Sequence, residues 1–314
     1  KKLNILENLG GKISFIGTPA EEYGDFYYRE KLIKDKKITY MSGKQEMITL
    51  GVFDDIDLVL SCHTMPTDTP YFCELNSSLN GFLSKKIRFI GTSAHAGLNQ
   101  HEGVNALNGA NVSYLRETFK EEDKIKVHYV ISNGGTTVNS VPDLVEIDMY
   151  IRAKTVESIV ETNKKIDRAL RGGALSINCD LEIINNGGYL PLVQDKNLTD
   201  VLEKNILEFV SEDKVLKNCH SFASGDIGDL SYVLPTVQIG VAGFYGRIHG
   251  DNFRTDNYDL AYNLPMKFFT KTVIDLLEND YSKLYSKEDK LSFDEYKNLL
   301  KNINEVFYYE REDV

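Results

Sequence analysis

Residues 12–22 read Lys12-Ile13-Ser14-Phe15-Ile16-Gly17-Thr18-Pro19-Ala20-Glu21-Glu22, a short apolar run that turns through glycine and proline onto two adjacent carboxylates. The apolar run predicts a buried strand. Glu21 and Glu22 then stand where open α/β sheets carry their chemistry, beyond the carboxyl ends of the strands. One carboxylate of such a pair can hold a metal while its neighbour moves a proton. The same pair also suits the first turn of a helix, where the dipole favours acidic side chains. Taken alone, it leaves both readings open.

Residues 26–34 and 45–50 read as helices, the second ending at Gly51, and Asp57-Leu58-Val59-Leu60-Ser61-Cys62-His63 reads as a strand with a histidine at its exit. Short apolar strands separated by helices predict a mostly parallel sheet covered on both faces. From about residue 80 a second pattern begins. Residues 86–90 partly alternate, 103–119 read as helix, and Val127, Tyr129 and Ile131 alternate again. Val145, Ile147, Met149 and Ile151 follow with Glu146, Asp148, Tyr150 and Arg152 on the opposite face. A helix carrying Val156, Ile159, Val160 and Ile166 then leads to a strand at 180–184. That order, β-α-β-β-α-β, is a ferredoxin-like unit with one sheet face on its helices and the other open. Beyond it, Leu198, Val201, Leu202, Ile206, Phe209 and Val210 mark a helix, 236–239 a buried strand and 259–277 a long closing helix. Ser292 and Glu295 form a capping-box pair ahead of one more helix. The predicted organisation is an α/β catalytic domain in two parts, residues 1–79 and 189–280. It is interrupted by the ferredoxin-like unit at 80–188 and followed by a helical tail at 281–314.

The chain has 314 residues, 42% hydrophobic and 26% charged, which suits a folded globular protein with a substantial core. Its 36 basic and 47 acidic residues give a net charge of −11, which argues against nucleic acid as a partner. No apolar run approaches the roughly 20 residues that span a bilayer. Four cysteines without a close pair point to a reducing, cytoplasmic compartment rather than a disulfide framework. Cys62 reads as a buried thiol.

Three of the six histidines stand out. His63 and His249, the latter in Gly246-Arg247-Ile248-His249-Gly250-Asp251, both follow strand regions and would meet Glu21 and Glu22 at one sheet edge. Imidazole and carboxylate together suit zinc. His95, in Gly91-Thr92-Ser93-Ala94-His95-Ala96-Gly97, is flanked by small residues that leave its ring accessible, so it can donate to an oxyanion or be a plain turn histidine. Asn139 lies beyond two glycines that permit close backbone approach. Arg152 lies on an open strand face, where it can bind a carboxylate in bidentate fashion or remain a solvated side chain.

Together these segments resemble the dinuclear zinc aminoacylase and carboxypeptidase family. The amidohydrolase branch, with its p-aminobenzoyl-glutamate and indole-acetyl-amino-acid hydrolases, is the most similar part of that family. Gly17 to Glu22 resembles its Pro-Ala-Glu-Glu motif, and Gly91 to Asn105 its His-Ala lid motif. Val138-Asn139-Ser140-Val141-Pro142-Asp143 followed by Arg152 resembles its Asn-x-x-Pro-Asp…Arg element. Ser224-Gly225-Asp226-Ile227-Gly228-Asp229-Leu230-Ser231 resembles its Ser-x-Asp-x-Gly-x-x-Ser segment. The likeness spans about residues 10–277.

This resemblance implies a zinc-peptidase-like fold with a lid domain and hydrolysis of an N-acyl-amino-acid or peptide amide bond. It implies two divalent ions, zinc first, with manganese or cobalt as alternatives. Glu21 is then the general base acting on a metal-bound water, and Glu22, His63 and His249 are metal ligands. Asn139 and Arg152 help hold the substrate. His95 serves the partner subunit's site in a homodimer formed through the lid. Two departures accompany it. The family's upstream Cys and His ligands have no counterpart before Lys12, so the chain is expected to be truncated and to hold at most half of the metal site. The stretch 23–43 replaces a short glycine-rich turn and can reshape the pocket towards larger peptides. The alternative is a non-catalytic dimeric binding protein that keeps the fold with an incomplete metal site, which a metal stoichiometry near zero would favour.

Overall fold

The computed structural model describes residues 9–22, 24–65, 69–111, 119, 121–279 and 289–311. The principal strands are β1 (Val59–Thr64), β2 (Cys73–Leu75), β3 (Gly81–Ile90), β4 (Lys126–Asn133), β5 (Leu144–Ala153), β6 (Asp180–Tyr189), β7 (Val215–Lys217), β8 (Thr236–Val241) and β9 (Val306–Tyr309). The helices are α1 (Phe26–Lys34), α2 (Gly43–Thr49), α3 (Ala106–Asn111), α4 (Val156–Ile177), α5 (Lys196–Ile206), α6 (Ile227–Val233), α7 (Leu264–Glu278) and α8 (Phe293–Ile303). Among the described residues no helix is long and apolar enough to cross a membrane. The chain divides into two units. One lies within Lys1–Ser78, Leu192–Ser221 and Asp226–Phe293, the other within Leu79–Pro191, Phe222–Gly225 and Asp294–Val314.

The first unit is built on a four-stranded sheet of order β1-β8-β2-β7. β1 runs parallel to β8 from Val59↔Thr236 to Thr64↔Val241, and β2 runs parallel to β7. Between these parallel pairs β8 meets β2 antiparallel, so two of the three pairings are parallel, as expected of a mostly parallel sheet. Val237, Ile239 and Val241 of β8 bury with Leu198, Leu202 and Ile206 of α5 and Phe268 of α7. The apolar positions of α5 recur every four residues, and Asp195 caps the helix by accepting from the Leu198 N–H at 2.8 Å. The expected closing helix is α7 preceded by a π-helical turn at Asp259–Asn263.

The buried strand expected at 13–16 does not form. The segment is irregular, with Phe15 97%, Ile13 40% and Ile16 38% exposed. A strand is held by its ladder, and this run has none, since β1 is the edge of its sheet and among the described residues pairs only with β8. Cys62 is exposed rather than buried. Desolvation nonetheless raises its thiol pKa.

The second unit is an antiparallel sheet of order β9-β6-β3-β5-β4. Its sequence β3-α3-β4-β5-α4-β6 gives the expected ferredoxin-like unit. Ile87, Phe89, Val145, Ile147, Ile151, Leu181 and Ile183 form one sheet face and bury against Ile159, Ile166, Leu170 and Ala174 of α4. Thr155 caps α4 by accepting from Ser158 N–H at 3.1 Å, and Asn178 ends it in the left-handed region. The helix expected over 103–119 begins only at Ala106, because Val104 bridges Thr92; residues 112–118 of it lie outside the described residues. The tail, expected to be helical, contains α8 and then β9. That strand adds a fifth member beside β6, from Val306↔Ile184 to Tyr309↔Leu181.

Arg311, just past β9, clamps Asp180 at the head of β6. Its backbone N–H, Nε and Nη2 donate to that carboxylate at 2.8, 3.0 and 3.2 Å. The Arg311 hydrogen bond holds the Asp180 carboxyl below its ordinary value. A depressed carboxylate stabilises the folded state above its unfolded pKa, near ~3.9, and that contribution is lost as pH falls through the folded pKa. Asp180→Asn should therefore speed hydrogen exchange of the β9 amides at neutral pH and leave little further change on acidification. Unchanged β9 exchange at neutral pH would count against the clamp.

Candidate active site

In the first unit, Glu21 and Glu22 lie on the irregular loop between the exposed apolar run and α1. His63 lies on β1, and His249 lies in the loop after β8 with a left-handed φ of 62°. The fold sets Glu22 beside His249 and Glu21 within electrostatic reach of His63, without gathering the four into one cluster. His249 Nε2 is 3.8 Å from Glu22 Oε1, both side chains facing solvent. Glu21 is half-buried and lies within electrostatic reach of Glu22 and His63. Burial raises the Glu21 carboxyl above its ordinary value. Asp226 and Glu22 push the same way, while Lys44 and His63 oppose them. A carboxylate shifted upward in this manner has the character of a proton acceptor.

His63 Nδ1 is 2.9 Å from the Thr64 carbonyl oxygen. A carbonyl only accepts, so Nδ1 carries the hydrogen and the Nε2 lone pair is left for a ligand. In kind, the donors suit a zinc-type ion. In number they are a partial set, since no group of three or more His, Cys, Asp or Glu among the described residues is close enough to hold a metal.

In the second unit, His95 forms an isolated bridge with Ser140. Its Nδ1 accepts from the Gly97 and Leu98 N–H groups, each at 3.1 Å. The neutral ring therefore carries its hydrogen on Nε2, exposed and available to donate. Asn139 is beside it, its carbonyl accepting from Ala96 N–H at 2.9 Å. Arg152 is elsewhere. It sits at the far end of β5, about 26 Å from Leu144 at ~3.3 Å per residue. Arg152 and Asn139 thus belong to opposite ends of the sheet, and the structure pairs Asn139 with His95. The Arg152 guanidinium lies over Phe82 and Tyr150 at 5.4 and 5.9 Å and donates to Ser224 Oγ at 2.9 Å. Burial lowers its pKa, and among the described residues no carboxylate acts on it.

Sequence pattern did not mark Ser42, Gly43 and Lys44, or tie them to Asp226. Asp226, fully buried, accepts from Ser42 Oγ at 3.3 Å and from the Lys44 N–H at 3.2 Å, and it pairs with Lys44 Nζ. Its motif is visible in the sequence, but its partners, 184 and 182 positions away, are not.

The chain thus combines a mixed α/β unit carrying a carboxylate–imidazole pair with a ferredoxin-like unit. Residues 77–177 match the family model described as a peptidase dimerisation domain. The chain is 29% identical over 236 residues to Xaa-Arg dipeptidase of Mus musculus, covering 72% of this chain and 49% of that protein. It is 28% identical over 199 residues to N-acetyldiaminopimelate deacetylase of Ligilactobacillus salivarius, covering 60% and 48%. A p-aminobenzoyl-glutamate hydrolase chain of Escherichia coli is 29% identical over 177 residues, covering 55% and 32%. The fold resembles that of a dinuclear metal-binding peptidase of the M20 family from Bacillus subtilis. There the TM-score is 0.59 at 13% identity, covering 80% of this chain and 69% of that one. The chain is similar over these spans to a peptidase dimerisation domain, a dipeptidase and an amidohydrolase, the kind of protein its motifs resemble. It spans about half the length of the curated relatives it matches.

Proposed function

We propose that the protein is a metal-dependent amidohydrolase that cleaves an N-acyl-amino-acid or short-peptide amide bond beside a carboxylate. The observation that supports this reading is half-buried Glu21, its carboxyl raised by burial, lying beside the exposed Glu22–His249 pair and within electrostatic reach of His63. Glu22, His63 and His249 would hold metal ions, zinc first, as part of a larger donor set. When bound, such ions supply Lewis-acid polarisation of the carbonyl and a more acidic water. Glu21 takes the proton from the attacking water and returns it to the leaving amine. His95 donates from Nε2 to the developing oxyanion, and Asn139 beside it orients the substrate. Arg152, a cation without a carboxylate partner among the described residues, receives the substrate carboxylate.

His95 and Arg152 lie at opposite ends of one ten-residue strand pair, too far apart to grip one small substrate within a single unit. That separation supports a homodimer in which His95 and Asn139 serve the partner's site. β4 offers a surface for such a contact, since it is the free edge of its sheet among the described residues and exposes Tyr129, Val130 and Ile131. Cytoplasmic placement belongs to the same reading, with Cys62, Cys73, Cys179 and Cys219 all free.

A complementation assay on the intact metal-loaded protein tests this arrangement. Glu21→Gln and His95→Ala homodimers should each be nearly inactive. Unfolded together and refolded 1:1, half of the dimers are mixed, and each mixed dimer has one intact site of two. Activity should recover to about a quarter of wild type. No recovery above the parent variants would reject a shared site.

A further inference from the structure

Two stretches remain without a role in this reading, the end of the 23–43 segment and the start of the Ser224–Ser231 motif. The first touches the loop that carries Glu21, and Asp226 of the second engages the first. The first turn of α2 faces two ways. On one side Ser42 Oγ, the Lys44 N–H and Lys44 Nζ all engage the Asp226 carboxylate, with Ser42 and Asp226 buried. Asp226 thus anchors a helix start from 182 positions downstream.

On the other side the Gly43 N–H donates to Ala20 O at 3.3 Å. The approach is close because residue 43 has no side chain. A Cβ there would stand 1.7 Å from Pro19 O and 2.9 Å from both Pro19 C and Thr18 Cγ2. Ala20 holds φ at 52°, in the left-handed region that non-glycine residues rarely adopt. Two residues on, Glu22 O accepts from Arg29 Nη2 at 2.7 Å, while Arg29 Nη1 donates to Met41 O at 2.9 Å. The backbone is therefore held at Ala20 and at Glu22, and Glu21 is the residue between the two anchors.

We infer that Gly43 and Arg29, with Asp226 anchoring α2, form a clasp that positions Glu21 for proton transfer. The inference rests on Glu21 being the general base. None of the three clasp residues touches substrate in this assignment. They act by fixing the backbone from which the Glu21 side chain departs. A normal carbon–oxygen contact is about 3.3 Å or more, so a methyl at residue 43 must push the Pro19–Ala20 backbone away by well over an ångström. A displacement of that order can cost roughly 10²-fold in rate.

The test is a double-mutant cycle on the intact metal-loaded protein, with steady-state kinetics and metal content by elemental analysis. Gly43→Ala should lower kcat by roughly 10²-fold with KM and metal stoichiometry little changed. In the Glu21→Gln background the same substitution should have almost no further effect, because the group it misplaces is already disabled. Arg29→Met, at an exposed contact, should show the same pattern more weakly and guards against a Gly43 variant that fails to fold. Full additivity of both substitutions with Glu21→Gln would overturn the clasp, as would unchanged kcat in both. Retained turnover in Glu21→Gln alone is a different result. It removes the general base and, with it, the basis of the clasp.

Discussion

Glu21→Gln should lower kcat by roughly 10²–10⁴-fold, the span that positioned general acid–base groups supply. The change is nearly isosteric, so it keeps the loop between Ala20 and Glu22 and removes only the ability to accept and return a proton. KM should stay close to wild type, because the lost interaction is made in the transition state rather than with bound substrate. Metal content should also stay close, since Glu21 is assigned to the proton and Glu22 to the ion. Glu22→Gln is the contrasting case: there activity and bound metal should fall together. The division of labour follows from the two environments. Glu22 is exposed beside His249, whereas Glu21 is half-buried, with its carboxyl pushed up by burial and by Asp226. Parallel kinetics and elemental analysis of the two variants decide it. A Glu21→Gln protein that still turns over, or that loses its metal, would reverse the assignment.

Strong periodicity made part of this architecture legible. Val145, Ile147, Met149 and Ile151 alternate because β5 has one covered face, and the buried positions of α4 recur at helical spacing because that helix is the cover. What depends on distant neighbours was not legible. Apolar composition at Ile13–Ile16 signals a preference for burial, yet strand formation needs a paired edge, and no local feature supplies one. Val306-Phe307-Tyr308-Tyr309 is β-branched and aromatic enough to be read as strand, but only the distant β6 gives it a ladder. The site divides in the same way. Glu21, Glu22, His63 and His249 could be grouped because each follows a strand or a turn at the same end of the sheet. Asn139 and Arg152 share a substrate-holding role only through the resemblance to the Asn-x-x-Pro-Asp…Arg element. Eight residues of extended β5 lie between them, and the backbone bridge to Ser140 assigns Asn139 to His95 instead.

Lys85→Ala should cost about 3–5 kcal/mol of stability in the ferredoxin-like unit, the usual penalty for leaving one member of a buried charged pair without the other. Lys85 is 1% exposed and lies on the helix-facing side of β3 between Leu83 and Ile87. Three side chains from two elements converge on its ammonium. Nζ donates to Asn163 Oδ1 at 2.6 Å and Asp167 Oδ1 at 2.6 Å, one turn apart on α4, and to Asn185 Oδ1 of β6 at 2.7 Å. The register of β3 against β6 shifts between Leu83 and Lys85, which sets Asn185 opposite the lysine. Burial lowers the Lys85 pKa and Asp167 opposes that shift. With all three donors engaged, the ammonium is a satisfied structural charge. Truncation to alanine leaves three acceptors, one of them a carboxylate, facing a void. Lys85→Met refills the volume and should cost less. Lys85→Met combined with Asp167→Leu removes both charges and should recover most of the loss, since apolar replacements of buried pairs are often neutral. Amide hydrogen exchange in β3 and α4 reads the unit by itself, where a global melt of a two-unit protein would mix transitions. A loss below about 1 kcal/mol for Lys85→Ala would mean that water replaces the ammonium without penalty, and α4 would then be held to the sheet by its apolar face alone.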